Sequence, residues 1–330
     1  MGTVKSLGCE LPRHLAYAVS GQKYICSFNL LLAVMRPANI LGSYAVMMTL
    51  GLALGLLTGG FPSNTKEISM ASLAVLMTLS LSTVKLGDAR GREHLEHASK
   101  SLFLNYVLLT GVILTIGLFF SRDYWWGWVL MAASPSAISV VPFTSVLGGK
   151  TTKALFSTSA NYVAALILMP GLTLLMIGSS VSTISLVYSL LILILLPMVA
   201  SRFVMKLRIG KPANTSMINI SFAVLIFAVT GANREAFIGD PWIVLAISAG
   251  CIIRTFGTGM GTELLLKKMS VPKEERVGYV LFASYKNLGL TATLAIALFE
   301  PIVAVPATIC IVFEVLWVIF LIRYYPGIRR

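Results

Sequence analysis

The sequence predicts an all-α polytopic membrane protein of ten transmembrane helices, arranged as two five-helix inverted repeats. Three observations carry this. Hydrophobic residues fill 57% of the 330 positions and charged residues 12%, about half the charge of a soluble domain, and the mean hydropathy is +0.85. The apolar residues gather in stretches of about 20, the length that crosses a hydrocarbon core. The basic residues fall in alternate loops. Together these exclude a soluble enzyme, a disordered chain and a disulfide scaffold. Strands of an outer-membrane barrel alternate apolar and polar in short segments, whereas these runs are apolar on all sides.

In order, the expected spans are about 38–58, 68–86, 101–120, 124–147, 151–177, 182–205, 214–233, 241–265, 276–298 and 302–325, with ends set by where the apolar runs stop. They leave short loops, an N-terminal segment 1–37 that is cytoplasmic or interfacial, and a cytoplasmic tail 326–330. Tyr24–Met35 is too short to span and lacks the small-residue cleavage pattern of a signal peptide. Met1-Gly2 with Ser6 fits a myristoylation pattern formally, a short match that chance supplies. Met35-Arg36-Pro37 directly before the first span looks like a natural start, so residues 1–34 are either a surface-lying segment or an extension ahead of it.

The net charge of +13 raises nucleic acid as a partner, but its placement argues for topology instead. Ten spans put both termini on one side, with Lys5, Arg13, Lys85, Arg90, Lys150, Lys153, Arg208, Lys211, Lys267, Lys273 and Arg330. The other side carries Lys66, Arg122 and Arg234. Lys and Arg concentrate in cytoplasmic loops, so the termini are expected in the cytoplasm and the protein in the cell (plasma) membrane, with the lipid bilayer as its main partner and no nucleic acid.

Few reactive groups are available. Cys9, Cys26, Cys251 and Cys310 show no paired spacing, so neither a disulfide framework nor a zinc site is indicated. His14, His94 and His97 all lie outside the spans, and the stretch from Asp88 to Glu96 reads as a solvated loop or helix end. There is no nucleophile elbow, no phosphate loop and no intramembrane aspartate pair for magnesium. No cofactor, metal or catalytic residue is expected.

Five spans per half force the second half (about 182–325) to insert upside down relative to the first (about 38–177), the layout of inverted-repeat transporters with sites at the midplane. In the fourth span, Ser134-Pro135-Ser136-Ala137-Ile138-Ser139-Val140-Val141-Pro142-Phe143-Thr144 holds two prolines. Each interior proline removes a helix hydrogen bond, and lipid cannot satisfy the freed carbonyl. The hydroxyls of Ser134, Ser136, Ser139 and Thr144 can. The plain alternative is a proline-kinked helix whose serines bond their own backbone. The ninth span, fourth of its half, carries Ser284-Tyr285-Lys286-Asn287-Leu288-Gly289 near its middle. Pro135, Pro142 and Gly289 are the expected helix breakers.

Arg254 in the eighth span, Lys286 in the ninth and Glu314 in the tenth are expected near the membrane centre. A charge there costs roughly 2.5–3.5 kcal/mol on insertion scales and marks a functional candidate by default. The plain alternative is an ion pair of Glu314 with Arg254 or Lys286 that only locks helices together.

These features resemble the bile acid:sodium symporter family: ten spans, a proline-containing fourth span followed by Gly148-Gly149, the Asn287-x-Gly289-Leu290 run, and Pro306 in the tenth span. The resemblance covers about residues 38–325, and auxin-carrier-like permeases look similar at this level. It implies a core domain of spans three to five and eight to ten, a panel domain of the others, and two broken helices crossing beside sodium ions and an organic anion. Aligned on Asn287, the family's sodium-binding glutamate falls at Phe282 and its glutamine at Lys286, while the polar pair of the fourth span falls near Val140 and Val141. Phe and Val cannot bind sodium and an ammonium repels it, so the family's sodium sites look dismantled.

The expected function is secondary transport of a small organic anion by alternating access, with Lys286 replacing sodium or carrying a proton. Asn287, Ser136, Ser139 and Thr144 are expected at the crossing, and Arg254 is a second counter-charge balanced by Glu314. An alternative is sodium coupling through Thr158, Ser159 and Asn161 of the fifth span. An intramembrane enzyme or sensor is a remote one.

Overall fold

The computed structural model describes residues 41–83, 91–178 and 182–325. The N-terminal segment and the tail read from the sequence lie outside the described residues. Among the described residues there are helices and no strands. Helix α1 is Tyr44–Thr58, α2 Thr65–Ser82, α3 Arg92–Gly117, α4 Arg122–Ala133 and α5 Val140–Val146. Then follow α6 Thr151–Ile177, α7 Ile184–Leu207, α8 Lys211–Ala232, α9 Pro241–Lys268, α10 Lys273–Phe282, α11 Leu288–Leu298 and α12 Pro301–Tyr324. Six of these, α3, α6, α7, α8, α9 and α12, are long and apolar enough to cross a membrane. The others are shorter, and α4/α5 and α10/α11 are pairs of half-length helices separated by non-helical residues.

Two packing groups form. Helices α1 and α2 pack on α7 and α8, while α3, α6, α9 and α12 pack around the two half-helix pairs. Small residues explain the first group. A Cβ at Gly231 of α8 would strike the backbone of Gly59 and Gly60, and one at Gly51 would strike the Ala223 carbonyl. Close backbone approach through small residues is how helices associate where lipid removes the hydrophobic drive. The second group is stitched by side chains. Where α5 ends, Gly148 takes φ +78°, a left-handed turn open to glycine, and the chain reverses into α6.

Two expectations change at the breaks. The fourth-span break runs through Ser134–Ser139, and Pro142 falls in the first turn of α5. A helix's first N–H groups have no intrahelical partner anyway, so proline is tolerated there. The second break runs through Ala283–Asn287, and Gly289 is already inside α11. Its missing Cβ serves packing instead: an added one would lie 3.2 Å from Leu225 of α8 and 3.5 Å from Leu73 of α2. Of the expected breakers, Pro135 alone lies within a break.

The expected solvated stretch around the histidines is also corrected. Helix α3 begins at Arg92, ahead of the apolar run, because its first turns pack on α6 and α10. His97 is therefore buried, with Nδ1 2.7 Å from Ser157 Oγ and its ring stacked on Tyr279 at 4.5 Å. Beside it, Glu275 at the start of α10 accepts from Lys150 (2.9 Å) and Lys153 (3.0 Å), and Lys153 reaches Glu93 of α3 (3.2 Å). The Lys150 hydrogen bond, joined by Lys153, pulls the Glu275 carboxyl down to about 2 from the ordinary 4.5.

Candidate functional site

The two breaks meet. The Asn287 amide N–H donates to the Pro135 carbonyl (2.8 Å), joining the backbones of the interrupted segments. Ser134 Oγ and Thr291 Oγ1 add a second link at 2.7 Å. Asn287 also caps α11, its Oδ1 accepting from Leu290 N (3.0 Å), while its Nδ2 donates to Tyr162 Oη of α6 (2.6 Å). An amide suits this place because it accepts and donates at once.

Lys286, next in line, is fully buried. Its ammonium donates to Ala132 O (2.8 Å), Ser134 O (2.9 Å), Asn105 Oδ1 (3.0 Å) and Thr110 Oγ1 (3.1 Å), with the Tyr106 ring 4.7 Å away. Two of these oxygens belong to the C-terminal end of α4. Its last carbonyls have no helix partner and carry the negative end of the helix dipole, so a cation belongs there. Asn105 turns its other end outward, Nδ2 donating to the Phe282 and Tyr285 carbonyls at 3.2 Å each. It thereby satisfies the broken end of α10 while its oxygen faces Lys286.

Arg254, fully buried on α9, takes a different course. It forms an ion pair with Glu314 of α12 through both terminal nitrogens, one at 3.0 Å, and donates to Ser284 O (3.3 Å) and Thr255 Oγ1 (3.2 Å). Glu314 Oε1 also accepts from the Lys286 backbone N–H (3.1 Å), and Tyr285 Oη donates to the Glu314 carbonyl (2.7 Å). The pair thus holds the ninth-span break from behind. Asn105 and Arg254 both stand on π-helical turns, Leu104–Leu109 and Ile253–Gly257. Such turns occur often at functional sites.

A cavity of about 810 Å³ lies between the two packing groups. Tyr44, Leu76, Phe143, Phe222 and Ile311 give it apolar walls; the buried Lys286, Asn287 and Glu314 mark its inner end and the exposed Arg208 and Lys211 its outer. Ser139, Thr158 and Ser159 also line it. Ser136, Thr144, Asn161 and Arg254 are not among its lining residues. Ser136 is buried and its hydroxyl meets no partner among the described residues. Thr144 Oγ1 bonds the Val140 carbonyl of its own helix (2.7 Å), and Asn161 Nδ2 bonds the Ser157 carbonyl of its own (2.8 Å). Sequence reasoning missed Asn105, Thr110, Tyr106 and Tyr162. A lone asparagine inside an apolar third span was the available signal.

Interrupted helices that cross at buried charges beside a large cavity are the architecture of a membrane transporter. Residues 43–321 match the SBF-like CPA transporter family, and the chain belongs to that family. The bile acid:sodium symporter-like resemblance read from the sequence is therefore borne out. No curated protein is significantly similar to the chain.

Proposed function

We propose that this protein is a secondary transporter that carries a small organic anion by alternating access, with Lys286 standing where a sodium symporter binds its cation. The observation that carries the reading is the Lys286 cage. Four oxygens at 2.8–3.1 Å, from two carbonyls, an amide and a hydroxyl, surround the ammonium. Such a neutral oxygen set is what a hard cation takes. The anion reading is supported by Arg208 and Lys211 at the cavity's outer end, by the amides of Asn214, Asn219 and Asn287 on its wall, and by the excess positive charge at the crossing.

The ten-helix inverted repeat over 38–325 is part of the same proposal. Helices α3 and α9, each with a π turn, are third in each half, and the half-helix pairs are fourth; α7 carries a further π turn at Leu191–Leu195. Equivalent interruptions at equivalent positions favour two repeats, with α1, α2, α7 and α8 as the panel and the rest as the core. The basic loops at the cavity's outer end favour an opening toward the cytoplasm, with both termini there and the protein in the plasma membrane.

A second reading, sodium coupling through the fifth span, is favoured by Thr158 Oγ1 and Asn161 Oδ1, both buried and without a partner among the described residues. Uptake of pooled organic anions into proteoliposomes, read by mass spectrometry under an imposed sodium or proton gradient, separates the two. The expected outcome is anion entry without sodium, slowed but not abolished by Lys286→Gln under the same conditions. Accumulation driven by sodium in the wild type would overturn the role given to Lys286.

A further inference from the structure

We infer that the transporter works as an exchanger, carrying one monovalent organic anion inward for each one carried outward. The inference rests on the transporter reading above. It comes from two features of the crossing, the hydrogen-bond inventory around Lys286 and the charge of the site.

Every polar group within reach of Lys286 Nζ presents an acceptor to it. Ala132 O and Ser134 O are carbonyls. Asn105 presents its oxygen, because its amide nitrogen is engaged by the Phe282 and Tyr285 carbonyls. Thr110 directs its hydroxyl proton to Ala132 O (2.7 Å), leaving its oxygen to accept. Tyr106 offers a ring face, which attracts cations. A neutral amine has two N–H groups and a lone pair. That lone pair finds a donor only if the Thr110 hydroxyl gives up its bond to Ala132 O, and the amine has one N–H fewer than the ammonium to share among the four oxygens. The cage therefore suits an ammonium better than the amine. Unlike a sodium ion, this cation cannot depart with the substrate.

The second feature is charge. Among the described residues, the basic and acidic side chains buried at the crossing are Lys286, Arg254 and Glu314. The carboxylate is held by Arg254, and the facing elements contribute neutral groups to Lys286: Asn105, Tyr106 and Thr110 from α3 and carbonyls from α4. The empty site is left with one excess positive charge. A bound monoanion cancels it. When the carrier closes to both sides the crossing loses water, and an uncompensated charge in that medium is costly. The loaded site passes that barrier neutral; the empty site passes it charged and slowly. A symporter avoids this because its cations leave with the substrate. A tethered cation cannot leave, so rapid return needs a second anion.

The test is counterflow with the full-length protein in liposomes. Isotopically labelled pantothenate, 2-oxoisovalerate and oestrone sulfate are added outside, with or without the same unlabelled anions inside. Entry of label is expected to be at least about tenfold faster with internal anion, a barrier difference of one decade in rate. It should ignore sodium and proton gradients and a potassium diffusion potential set by valinomycin, because a one-for-one exchange moves no net charge. Lys286→Gln removes the excess charge and should shrink the advantage of internal anion. Equal entry with and without internal anion, or exchange that responds to the imposed voltage, overturns the inference while the transporter reading stands. No entry of any probe under any condition sinks the transporter reading, and this inference with it. The wild-type voltage measurement decides the matter even where the variant fails to fold.

Discussion

Arg254 and Lys286 are both basic, both fully buried and both bound to the second break, yet their surroundings differ in kind. Arg254 has a carboxylate, Glu314, and the pair is neutral. Lys286 has four oxygens that carry no formal charge and the C-terminal end of α4. The side chains suit these tasks. A guanidinium is a planar fork that grips a carboxylate while still donating to a carbonyl; an ammonium is a compact point charge that fits an oxygen cage. The comparison teaches that burial alone does not assign a role. A charge closed by its partner holds helices; a charge closed by neutral dipoles leaves the site with a field that a ligand of opposite sign can answer.

The largest expected effect comes from breaking the closed pair. Glu314→Gln leaves Arg254 buried and charged without a counter-ion, which costs about 3–5 kcal/mol when one partner of a buried pair is removed. Thermal unfolding of the purified protein should show it. Replacing both residues at once, Arg254→Met with Glu314→Gln, should recover most of the loss. If the double variant is no more stable than the single one, the pair is not the closed structural unit described above.

The next effect should be smaller and should depend on sodium. Lys286→Ala vacates the oxygen cage, and the orphaned carbonyls cost about 1–3 kcal/mol. Sodium should then enter the vacancy and restore stability, by about 1.4 kcal/mol when it stands about tenfold above its Kd. Choline should not, and the wild type should ignore both. A sodium-insensitive Lys286→Ala protein would mean that the cage is not a cation site with a tethered occupant.

Much of this was legible in the sequence. Long apolar runs, segregated basic loops and Pro135 announced the helices and the first break, and three charges in apolar spans announced the crossing. The partners were not legible. Asn105 and Thr110 lie far from Lys286 in sequence, and ordinary polar residues in an apolar span carry no mark of which way they face. Carbonyls are more hidden still: Ala132 is a cage ligand through an atom that every residue has. Pro142 and Gly289 misled because both suit a helix break equally well as a helix start or a tight contact. His97 misled because its polar neighbours implied solvent, whereas α3 extends beyond its apolar run to pack against α6 and α10.

The smallest effect supplies the exposed counterpart to the two buried sites. Glu275 bridges Lys150 and Lys153 where α6 begins, and its side chain is 23% exposed. Its carboxyl is pulled from 4.5 down to about 2 in the folded protein. A lowered carboxyl pKa contributes stability that is complete above the unfolded value and is lost as pH falls through the folded one. The loss should therefore run from about pH 4.5 down to about pH 2. Solvent screens the cluster, so the contribution should stay below about 1 kcal/mol. Acid titration of the unfolding temperature, wild type against Glu275→Gln, should show a shallower decline in the variant over that window. High salt should narrow the difference, since screening reaches this end of the bundle, and should leave the Glu314→Gln deficit in place. A Glu275 effect as large and as salt-resistant as that of Glu314 would erase the distinction between a solvated ion cluster and a buried closed pair.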